Sequence, residues 1–575
     1  MKKNLVITMF AALAMASCSN DEQVVGSSGG ELGEPQFLTV NLVTNSTTRA
    51  TGNPNGNSEY EAGTDDENKV EKVRFYFFDA SGNPAKVSKH DGGLKNYLEW
   101  TNVSEEDPNM PNVEKILSAT LIIQSPKGDA EPAQVVAIIN PTSEPVAERS
   151  LTSLAGVAHN YQTYNTSGSF VMSNSVYAEG SAGNMTEKMA VSVAGKIKKT
   201  SGEALNDPVQ IYVERAIAKV RLNSSLTAVD GTTNIFKTSD SGANKVKVGN
   251  EEKEIYVKFL GWNATAVSNL SRLVKSINTS WGADLLGGGQ PWNWAEYFRS
   301  FWAVNADGVA YQYGAFVPNP EDKTIDGNLF QAQAKTNFNK TDCVYVNENA
   351  TDLANASTGS DPGTPTKVII AAQLVDVNGN PLEFADYGST RTTISGLKDL
   401  FANNCGLYKK ETVTENDESK TKFVKITPAE LTIKTATEVG EAGQNKDGRY
   451  KVYIQLATNA DNVWYTSNSN DPEAKPILAS KANELLKELG SAKIWKDGYT
   501  YYYFDIKHLG TKTGVVRNHI YDANITKLTG LGTPVYNPEE VIYPEKPKDD
   551  EQTFIAAQIN ILSWRIVKSD VSLEW

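Results

Sequence analysis

The first alternation of apolar and polar residues along the chain lies at residues 37–44, which read FLTVNLVT. Leu38, Val40 and Leu42 fall on one side of an extended backbone, because successive side chains of a strand point to opposite faces. The pattern predicts a half-buried β-strand early in the chain, with these three side chains turned toward a core.

An exposed loop is predicted directly after this strand. Residues 45–68 contain almost no large apolar side chain and are rich in Gly, Asn and acidic residues. Arg49 lies in this loop and is the only Lys or Arg between Lys3 and Lys69. Exposed loops are preferred sites of proteolysis, so the bond between Arg49 and Ala50 is a candidate for cleavage by a trypsin-like protease. The alternative is an arginine without functional consequence.

Short strand patterns bounded by Pro, Gly and Asn continue through most of the chain, whereas helical patterns are few. Helices are predicted near residues 153–158, 395–404 and 480–492. The segment VQIYVERAIAKVRLNS at 209–224 is predicted to be one long strand, and a domain boundary is placed just before it. Such a series predicts an all-β protein with few short helices, built from β-sandwiches with Greek-key connections.

The end of the chain also has the pattern of strands. Within residues 555–575, Val571, Leu573 and Trp575 alternate with Ser572 and Glu574 up to the last residue, with no turn signal after them. A terminal strand of this kind leaves an open edge that must be paired. The candidates for side chains that fill a groove elsewhere are Ile559, Ile561, Val571, Leu573 and Trp575. In the alternative interpretation residues 555–567 form an internal strand, and only the last few residues are free.

The N-terminus has the pattern of an export signal. Lys2 and Lys3 precede an apolar run at residues 5–16, which is too short for a stable membrane span. The small residues before Cys18 resemble a bacterial lipoprotein signal, in which the cysteine is lipidated. The acidic residues shortly after it resemble the export signal of Bacteroidetes surface lipoproteins. The alternative is an ordinary signal peptide with a chance cysteine.

Composition argues against nucleic-acid binding and against catalysis. The chain has 575 residues, a formal net charge of −14 and only four histidines. It has no basic stripe that could replace phosphate counterions. A P-loop, a G-x-S-x-G motif and a Cys/His cluster for a metal are all missing from the sequence. We therefore expect no enzyme activity, no cofactor, no metal and no nucleic-acid partner.

Two further cysteines remain if Cys18 carries lipid. In an oxidising compartment Cys343 and Cys405 could form one disulfide that closes a loop of about 60 residues. The alternative, two free thiols, stays open.

A stretch rich in aromatic residues supports a competing function. Side chains of this kind stack on sugar rings in binding proteins. The residues considered are Trp281, Trp292, Trp294, Tyr297, Phe298 and Trp302. They favour an outer-membrane lipoprotein that binds glycans. In the alternative interpretation the stretch is an insertion whose aromatic residues fill a local core.

Two other groups of polar residues are interpreted as structural. His508 and His519 lie in neighbouring β-segments and are expected to be buried with hydrogen-bond partners. Asp376, Asn378 and Asn380 resemble the start of a calcium loop. The closing acidic residue of an EF-hand is missing, so a hairpin turn is predicted instead.

Several segments together resemble one family of surface proteins. They are the lipoprotein signal, the early strand followed by a lone arginine, and the sequences VRFYFFDASGNP, VERAIAKVRL, YFRSFWAVNADG, GVVRNHIYDANITKLTGLGTPVY and INILSWRIV. In this order and spacing they are similar to the fimbrillin family, the shaft subunits of type V pili of Bacteroidia, in its minor-fimbrium branch. The resemblance extends over nearly the whole chain.

The resemblance implies two transthyretin-like Greek-key β-sandwich domains in tandem. Residues 1–18 would be a lipoprotein signal peptide, and residues 19–49 a propeptide that contains the removable first strand. The N-terminal sandwich would span residues 50–207. The C-terminal sandwich would span residues 208–575, with insertions and a C-terminal donor strand.

The family also implies a route of assembly. The precursor travels to the outer membrane as a lipoprotein, and an Arg-specific protease cuts after Arg49 and removes the first strand. A C-terminal strand of another copy then fills the groove, which gives a head-to-tail polymer, the cell-surface fimbrium, that serves adhesion. Accessory tip and anchor pilins and receptors on host or bacterial surfaces are further implied partners. Because this chain has both the cleavage site and an open C-terminal pattern, a shaft role is favoured over a tip or anchor role.

Overall fold

The fold is all-β with few short helices, as the sequence predicts. The computed structural model describes residues 33–44, 60–61, 63–90, 93–101, 115–141, 148–162, 169–181, 184–239, 244–248, 251–278, 298–299, 303–314, 335–350, 364–415, 418–441, 450–466, 475–508, 513–544 and 564–574. Most of these residues belong to three packing units, each with a buried apolar cluster.

The first unit is an eight-stranded sheet with a common apolar core. Its strands lie side by side in the order Tyr97–Thr101, Lys72–Phe78, Gln134–Ile139, Met172–Asn174, Val209–Arg215, Gln36–Thr44 and Lys115–Ile123, and Val191–Ser192 pairs with Gln134–Ile139. In the strand Lys72–Phe78 every residue from Val73 onward is buried. This strand is therefore covered on both faces.

The second unit is a β-sandwich of two five-stranded sheets. The first sheet has the order Tyr60–Glu61, Trp564–Glu574, His519–Thr529, Ile217–Ser224 and Asn339–Asn347. The second has the order Ile235–Phe236, Tyr256–Thr265, Lys367–Val375, Tyr499–Asp505 and Thr533–Pro534. Val220 and Ile525 of the first sheet share one buried cluster with Trp262 and Ile370 of the second. The two sheets thus pack face to face.

The third unit is an insertion between Lys367–Val375 and Tyr499–Asp505, two neighbouring strands of the sandwich. Its strands are Thr390–Thr392, Phe384–Tyr387, Ala492–Trp495, Lys451–Leu456 and Leu431–Thr435, with Glu418–Lys425, Tyr408–Glu415 and Trp464–Tyr465 in a smaller sheet. The helices that cover them are Ile394–Asn404 and Ala479–Glu488. Phe401 and Leu486 on these helices are buried in the same cluster. The insertion therefore has a core of its own.

Short pairings and helices complete the described part of the fold. The small sheets are Ser88–His90 with Gly93–Lys95, Asn184–Lys188 with Tyr177–Ser181 and Phe298–Arg299, Lys245–Val248 with Glu251–Glu254, Val267–Ser268 with Tyr311–Gln312, and Ser271–Arg272 with Ala158–His159. The other helices are Asp65–Asn68, Leu151–Ala155 and Ser201–Leu205, with 3-10 turns at Pro428–Glu430 and Lys496–Gly498. No helix in these ranges is long and apolar enough to span a membrane.

The two longer helices lie close to their predicted places. The Thr393 side chain caps Ile394–Asn404 by accepting a backbone N–H at 3.0 Å. The helix predicted at 480–492 ends earlier, and Ala492–Trp495 is a strand instead. Gly490 lies between them with a positive φ of 97°. This conformation ends helices and is easily adopted only by glycine.

The long strand predicted from VQIYVERAIAKVRLNS is two strands. Val209–Arg215 belongs to the first unit and Ile217–Ser224 to the sandwich. Between them, the Ala216 backbone N–H donates to the Val171 carbonyl at 2.9 Å, and the Ala216 carbonyl accepts from the Ser271 hydroxyl at 3.0 Å. Because these bonds lie outside both ladders, the chain passes from one unit to the other at this residue, slightly after the predicted boundary.

Buried ion pairs lie where the first unit meets the sandwich. The Arg517 guanidinium is fully buried and donates to the Glu348 carboxylate at 3.0 and 3.1 Å and to the Leu273 carbonyl at 3.0 Å. Lys275 and Glu214 form a second pair at 3.0 Å, and both side chains are 0 % exposed. A buried charge is costly unless it is paired. Each pair therefore requires its segments to keep their relative positions.

Removing one partner of the first pair is expected to destabilise the protein. Glu348→Ala leaves the Arg517 guanidinium buried without its counter-charge, which should lower the free energy of unfolding by about 3 to 5 kcal/mol. Urea unfolding followed by tryptophan fluorescence measures the change. Glu252→Ala is the matched control, because Glu252 is 64 % exposed in its pair with Lys245 and such pairs contribute little. A loss no larger than that of the control would contradict the assignment.

Candidate functional site: the first strand and its groove

The first strand lies between two other strands rather than at an edge of its sheet. Gln36–Thr44 pairs antiparallel with Lys115–Ile123 over all nine residues. Its residues 40–44 pair parallel with residues 209–213 of the strand Val209–Arg215. Removing the first strand would therefore open two ladders and split the sheet. The space that it fills between these two neighbours is called the groove below.

Three side chains of the first strand fill the groove. Leu38, Val40 and Leu42 are 0 % exposed. Their partners in register are Leu121, Ala119 and Leu117 on one side and, for Val40 and Leu42, Val209 and Ile211 on the other. Burying a side chain of this size contributes about 1.5 to 3 kcal/mol, so loss of the strand forfeits roughly 4 to 9 kcal/mol of apolar burial.

The opposite face of the first strand is held by hydrogen bonds. The hydroxyl oxygens of Thr39 and Thr120 lie 3.0 Å apart. The Ser118 hydroxyl donates to the Asn41 side-chain oxygen at 2.8 Å. Because Asn41 lies directly opposite Ser118 in the ladder, this bond forms only in the observed register.

The chain that follows the predicted cleavage loop is anchored separately. The short helix Asp65–Asn68 begins with a capping box, and its Glu67 is 1 % exposed. The Lys219 ammonium donates to the Glu67 carboxylate at 2.8 Å, and the Tyr345 hydroxyl donates to the same oxygen. Arg215 donates to the Glu67 backbone carbonyl at 3.0 Å. The helix is thereby tied to strands of both the first unit and the sandwich.

Burial and ion pairing act in opposite directions on Glu67. Burial by itself raises the pKa of the carboxyl, but Lys219, the Tyr345 hydroxyl and the nearby Arg215 more than compensate, so the pKa lies below its ordinary value. Burial, and then the neighbouring Cys343 and Glu67, raise the pKa of Tyr345. The carboxylate therefore stays ionised and the phenol stays protonated at neutral pH, which preserves the hydrogen bond between them.

The C-terminal strand Trp564–Glu574 lies on the sandwich of its own chain. It pairs parallel with His519–Thr529, and both Val571 and Leu573 lie within this ladder. On its other side its partner among the described residues is the two-residue strand Tyr60–Glu61. Loss of the C-terminal strand would therefore detach only a two-residue strand, whereas loss of the first strand would detach the nine-residue strand Lys115–Ile123.

Several residues of the predicted site lie outside the described residues. They are Cys18, Arg49, Ala50, Ile559, Ile561 and Trp575. Of the aromatic side chains considered for glycan stacking, Phe298 belongs to a described strand, Phe298–Arg299, which pairs with Tyr177–Ser181. The others lie outside the described ranges. The functions of all these residues stay predictions.

The disulfide considered for Cys343 and Cys405 is not formed, and both cysteines are free. Cys343 lies on the strand Asn339–Asn347 of the sandwich, whereas Cys405 is buried in the core of the insertion. The two residues therefore belong to different packing units. Burial raises the pKa of the Cys405 thiol, which keeps it protonated and poorly reactive.

His508 and His519 are structural residues, as expected. Both side chains are 0 % exposed. His508 Nδ1 lies 2.8 Å from the Tyr521 hydroxyl, and His519 Nδ1 lies 2.7 Å from the Arg517 carbonyl. These bonds hold the imidazoles in the core of the sandwich.

Asp376 closes a hairpin turn, as predicted, rather than a calcium loop. Its carboxylate accepts from the backbone N–H groups of Asn378 and Asn380, both at 2.9 Å. Across the described ranges no group of three or more His, Cys, Asp and Glu side chains is arranged to hold a metal.

The sequence pattern did not predict that Glu67 is buried and paired with Lys219. This residue lies at the end of the stretch 45–68, which the composition predicts to be an exposed loop. The available signal was the presence of Arg215 and Lys219 inside an otherwise apolar strand pattern. Buried cations need partners of opposite charge, so this pattern calls for an acidic residue from elsewhere in the chain.

A family comparison gives a match in the C-terminal part of the chain. Residues 493–570 match the family described as major fimbrial subunit protein type IV, fimbrillin, C-terminal. The predicted resemblance to fimbrillins is thereby confirmed, and the class that it indicates is a fimbrial subunit. A search of curated proteins gives no significant match.

Solved structures of fimbrial proteins align with much of the chain at low identity. A fimbrilin from Porphyromonas gingivalis W83 is 13 % identical, with 93 % of this chain and 97 % of that chain covered and a TM-score of 0.32. A fimbrial assembly protein from Parabacteroides distasonis is 11 % identical, with 60 % of this chain and 97 % of that chain covered and a TM-score of 0.24. A tip fimbrial protein from Porphyromonas gingivalis is 11 % identical, with 68 % of this chain and 100 % of that chain covered and a TM-score of 0.21.

The anchor at Glu67 predicts a specific dependence of stability on pH. Glu67→Gln should be less stable than the wild type at neutral pH, because Lys219 stays buried without a counter-charge. The folded-state pKa of Glu67 lies below the ordinary value of 4.5. Its contribution is therefore present above the unfolded pKa and is lost as the pH falls through the folded pKa. The difference in stability between the two proteins should shrink below about pH 4.5.

Free energies of unfolding in urea, measured from neutral pH down through the carboxyl range, test this expectation. Asp65→Asn is the matched control, because Asp65 is an exposed carboxylate on the same short helix. Its curve should run close to that of the wild type. A Glu67→Gln deficit that is the same at every pH would show that the ion pair is not its cause.

Proposed function

We propose that this chain is the structural shaft subunit of a cell-surface fimbrium. It is exported as a lipoprotein precursor with lipid on Cys18 and is cleaved after Arg49. It then polymerises by insertion of a C-terminal strand of one copy into the groove of the next copy. The resulting filament serves adhesion, and the function requires no catalysis.

The observation that carries the proposal is the interior position of the first strand in its sheet. Gln36–Thr44 is the ladder partner that joins Lys115–Ile123 to the rest of the described sheet, and its inward side chains are 0 % exposed. Without it, two neighbouring strands have unpaired backbone groups and an apolar gap between them. Both costs are relieved when another strand enters.

Cleavage at Arg49 would separate two parts of the chain that are held by different contacts. The first strand would then stay in the groove through non-covalent contacts alone. The following segment is fixed by the buried pair of Glu67 and Lys219, at 2.8 Å. We infer that the propeptide can leave while the body of the subunit keeps its fold.

The C-terminal strand is suited to leave its own chain. Trp564–Glu574 is joined to the sandwich by one full ladder, with His519–Thr529, so its departure opens an edge there and detaches the two-residue strand Tyr60–Glu61. The donor strand starts from the sandwich and the groove lies in the first unit. A contact between two such different surfaces is head-to-tail and does not close, so it builds a filament.

The remaining partners follow from the same proposal. An Arg-specific protease removes the propeptide, tip and anchor pilins occupy the two ends of the filament, and receptors on host or bacterial surfaces bind it. The lipid on Cys18 holds the precursor at the outer membrane. The mature subunits form the extracellular fimbrium.

Arg49→Ala is expected to abolish polymer formation. N-terminal sequencing and intact mass of protein shed from the cell surface should show a wild-type chain that begins at Ala50 and forms detergent-resistant polymers. The variant should begin at lipidated Cys18 and stay monomeric. Arg49→Lys is the matched control, because it keeps the charge but is not a substrate of an Arg-specific protease. Added trypsin should cut it and restore assembly.

Other results would point to other functions. A full-length monomer that begins at Cys18 in both wild type and variant would contradict the proposal and favour a glycan-binding lipoprotein that uses the aromatic stretch. An anchor pilin would likewise keep its first strand. A chain that begins at Ala50 but never donates its C-terminal strand would be a tip pilin.

A further inference from the structure

The small three-stranded sheet of the insertion turns one face away from the core of that unit. Tyr408–Glu415 pairs antiparallel with Glu418–Lys425 on one side and with Trp464–Tyr465 on the other. Lys409 lies opposite Trp464 in this sheet, and Trp464 is buried in the core of the insertion. Because successive side chains of a strand point to opposite faces, the neighbours of these two residues lie on the other face, which is called the outer face below.

The outer face combines basic, aromatic and hydroxyl side chains. Its residues are Tyr408, Lys410, Thr412, Thr414, Ser419, Thr421, Phe423, Lys425 and Tyr465. None of them is acidic, although the whole chain has a formal net charge of −14. Lys410 and Lys425 are both exposed. The positive charge of the outer face is therefore not balanced by an acidic residue of the same face, and the face suits an anionic partner.

An aromatic ring and an ammonium group lie side by side on the outer face. The half-buried ring of Phe423 meets the ring of Tyr465 edge-on, with the ring centres 5.0 Å apart and an angle of 71° between the planes. Tyr465 is 7 % exposed, so the support for Phe423 is itself packed. The Lys410 ammonium lies 5.8 Å from the centre of the Phe423 ring. An aromatic surface stacks on a sugar ring, and an ammonium group pairs with an anionic substituent of that sugar.

We propose that the outer face of this sheet binds an acidic polysaccharide. A sugar ring stacks on Phe423, and sulfate or carboxylate groups of the chain pair with Lys410 and Lys425. The inference rests on the proposed function, because it names the chemistry of the receptor to which the filament adheres. It also assigns the binding face to the insertion.

The remaining side chains of the outer face also match a saccharide. Thr412, Thr414, Ser419 and Thr421 are exposed, and a hydroxyl both donates and accepts hydrogen bonds, as the hydroxyls of a sugar do. The strand from position 408 to position 414 is about 20 Å long, which is enough for several sugar rings of an extended chain. An acidic protein segment would pair with the lysines, but it offers few hydroxyl groups to the other four side chains.

The outer face is separate from the surfaces used in the proposed assembly. The groove belongs to the first unit, and Trp564–Glu574 belongs to the first sheet of the sandwich. The insertion is joined instead to the second sheet, between Lys367–Val375 and Tyr499–Asp505. Each copy in a filament thus presents its own outer face. Many such faces along one filament bind a long polysaccharide far more tightly than one face alone.

Binding of heparin, a sulfated polysaccharide, to the uncleaved protein tests the proposal. The full-length chain with Arg49→Ala is used, so that single copies are measured by isothermal titration calorimetry. Heparin should bind at low ionic strength and more weakly at high ionic strength, because salt screens exposed charges. Dextran, which is uncharged, should not bind measurably. Equal binding of the two polysaccharides, or no binding of heparin, would overturn the proposal.

Two substitutions on the outer face locate the site. Lys410→Gln should weaken heparin binding about tenfold, since it removes a charge-assisted hydrogen bond. Phe423→Leu keeps an apolar side chain but removes the ring, and should weaken binding about three- to tenfold. Lys481→Gln is the matched control, because Lys481 is an exposed lysine on a helix of the same insertion. A loss in the control as large as that in Lys410→Gln would show that heparin responds only to net charge and would overturn the assignment.

Poly-L-glutamate distinguishes an acidic polysaccharide from an acidic protein segment. If it binds as tightly as heparin and is equally sensitive to Phe423→Leu, the partner is an acidic protein and the proposal is wrong. Failure of this inference differs from failure of the proposed function, because cleavage and polymer formation are measured separately. Polymers of the wild-type chain that bind no heparin would contradict the receptor chemistry alone. Cleaved chains that never polymerise would contradict the shaft function, even if the uncleaved protein binds heparin.

Discussion

The sheet of the first unit depends on the strand that lies between Val209–Arg215 and Lys115–Ile123. A sheet that lacks a central strand exposes unpaired backbone groups on two neighbours together with an apolar gap, and both are costly in water. Gln36–Thr44 fills this position, and residues 45–68, which follow it in the sequence, contain a single basic residue. In the proposed function, the same contact that stabilises the uncut chain makes the chain without its first strand a receptor for another strand.

The rest of the subunit is held by contacts that do not involve the first strand. Arg517 with Glu348 and Lys275 with Glu214 are buried where the first unit meets the sandwich. Glu67 holds the chain directly behind the loop. Buried pairs of this kind tolerate little displacement, because a separated charge would be left without compensation. The exchange that we propose for the first strand would leave these contacts in place.

Features that depend on neighbouring residues could be predicted from the sequence. The alternation around Val40, the helix near residues 395–404 and the turn at Asp376 each involve short-range patterns, and the structure contains all three. The anchor of Glu67 could not be predicted in this way, because Lys219 and Tyr345 lie 152 and 278 residues away. Its burial depends on partners that no local pattern contains.

The sequence by itself determined that a strand with three inward apolar residues precedes a loop with one arginine, and that the chain is all-β. These properties follow from the order of adjacent side chains. Only the tertiary structure decided that this strand lies between two others in its sheet and that Ala119 and Ser118 lie opposite Val40 and Asn41. Strand order and register arise from contacts between distant parts of the chain, and those contacts are made only when the sheet closes around its core.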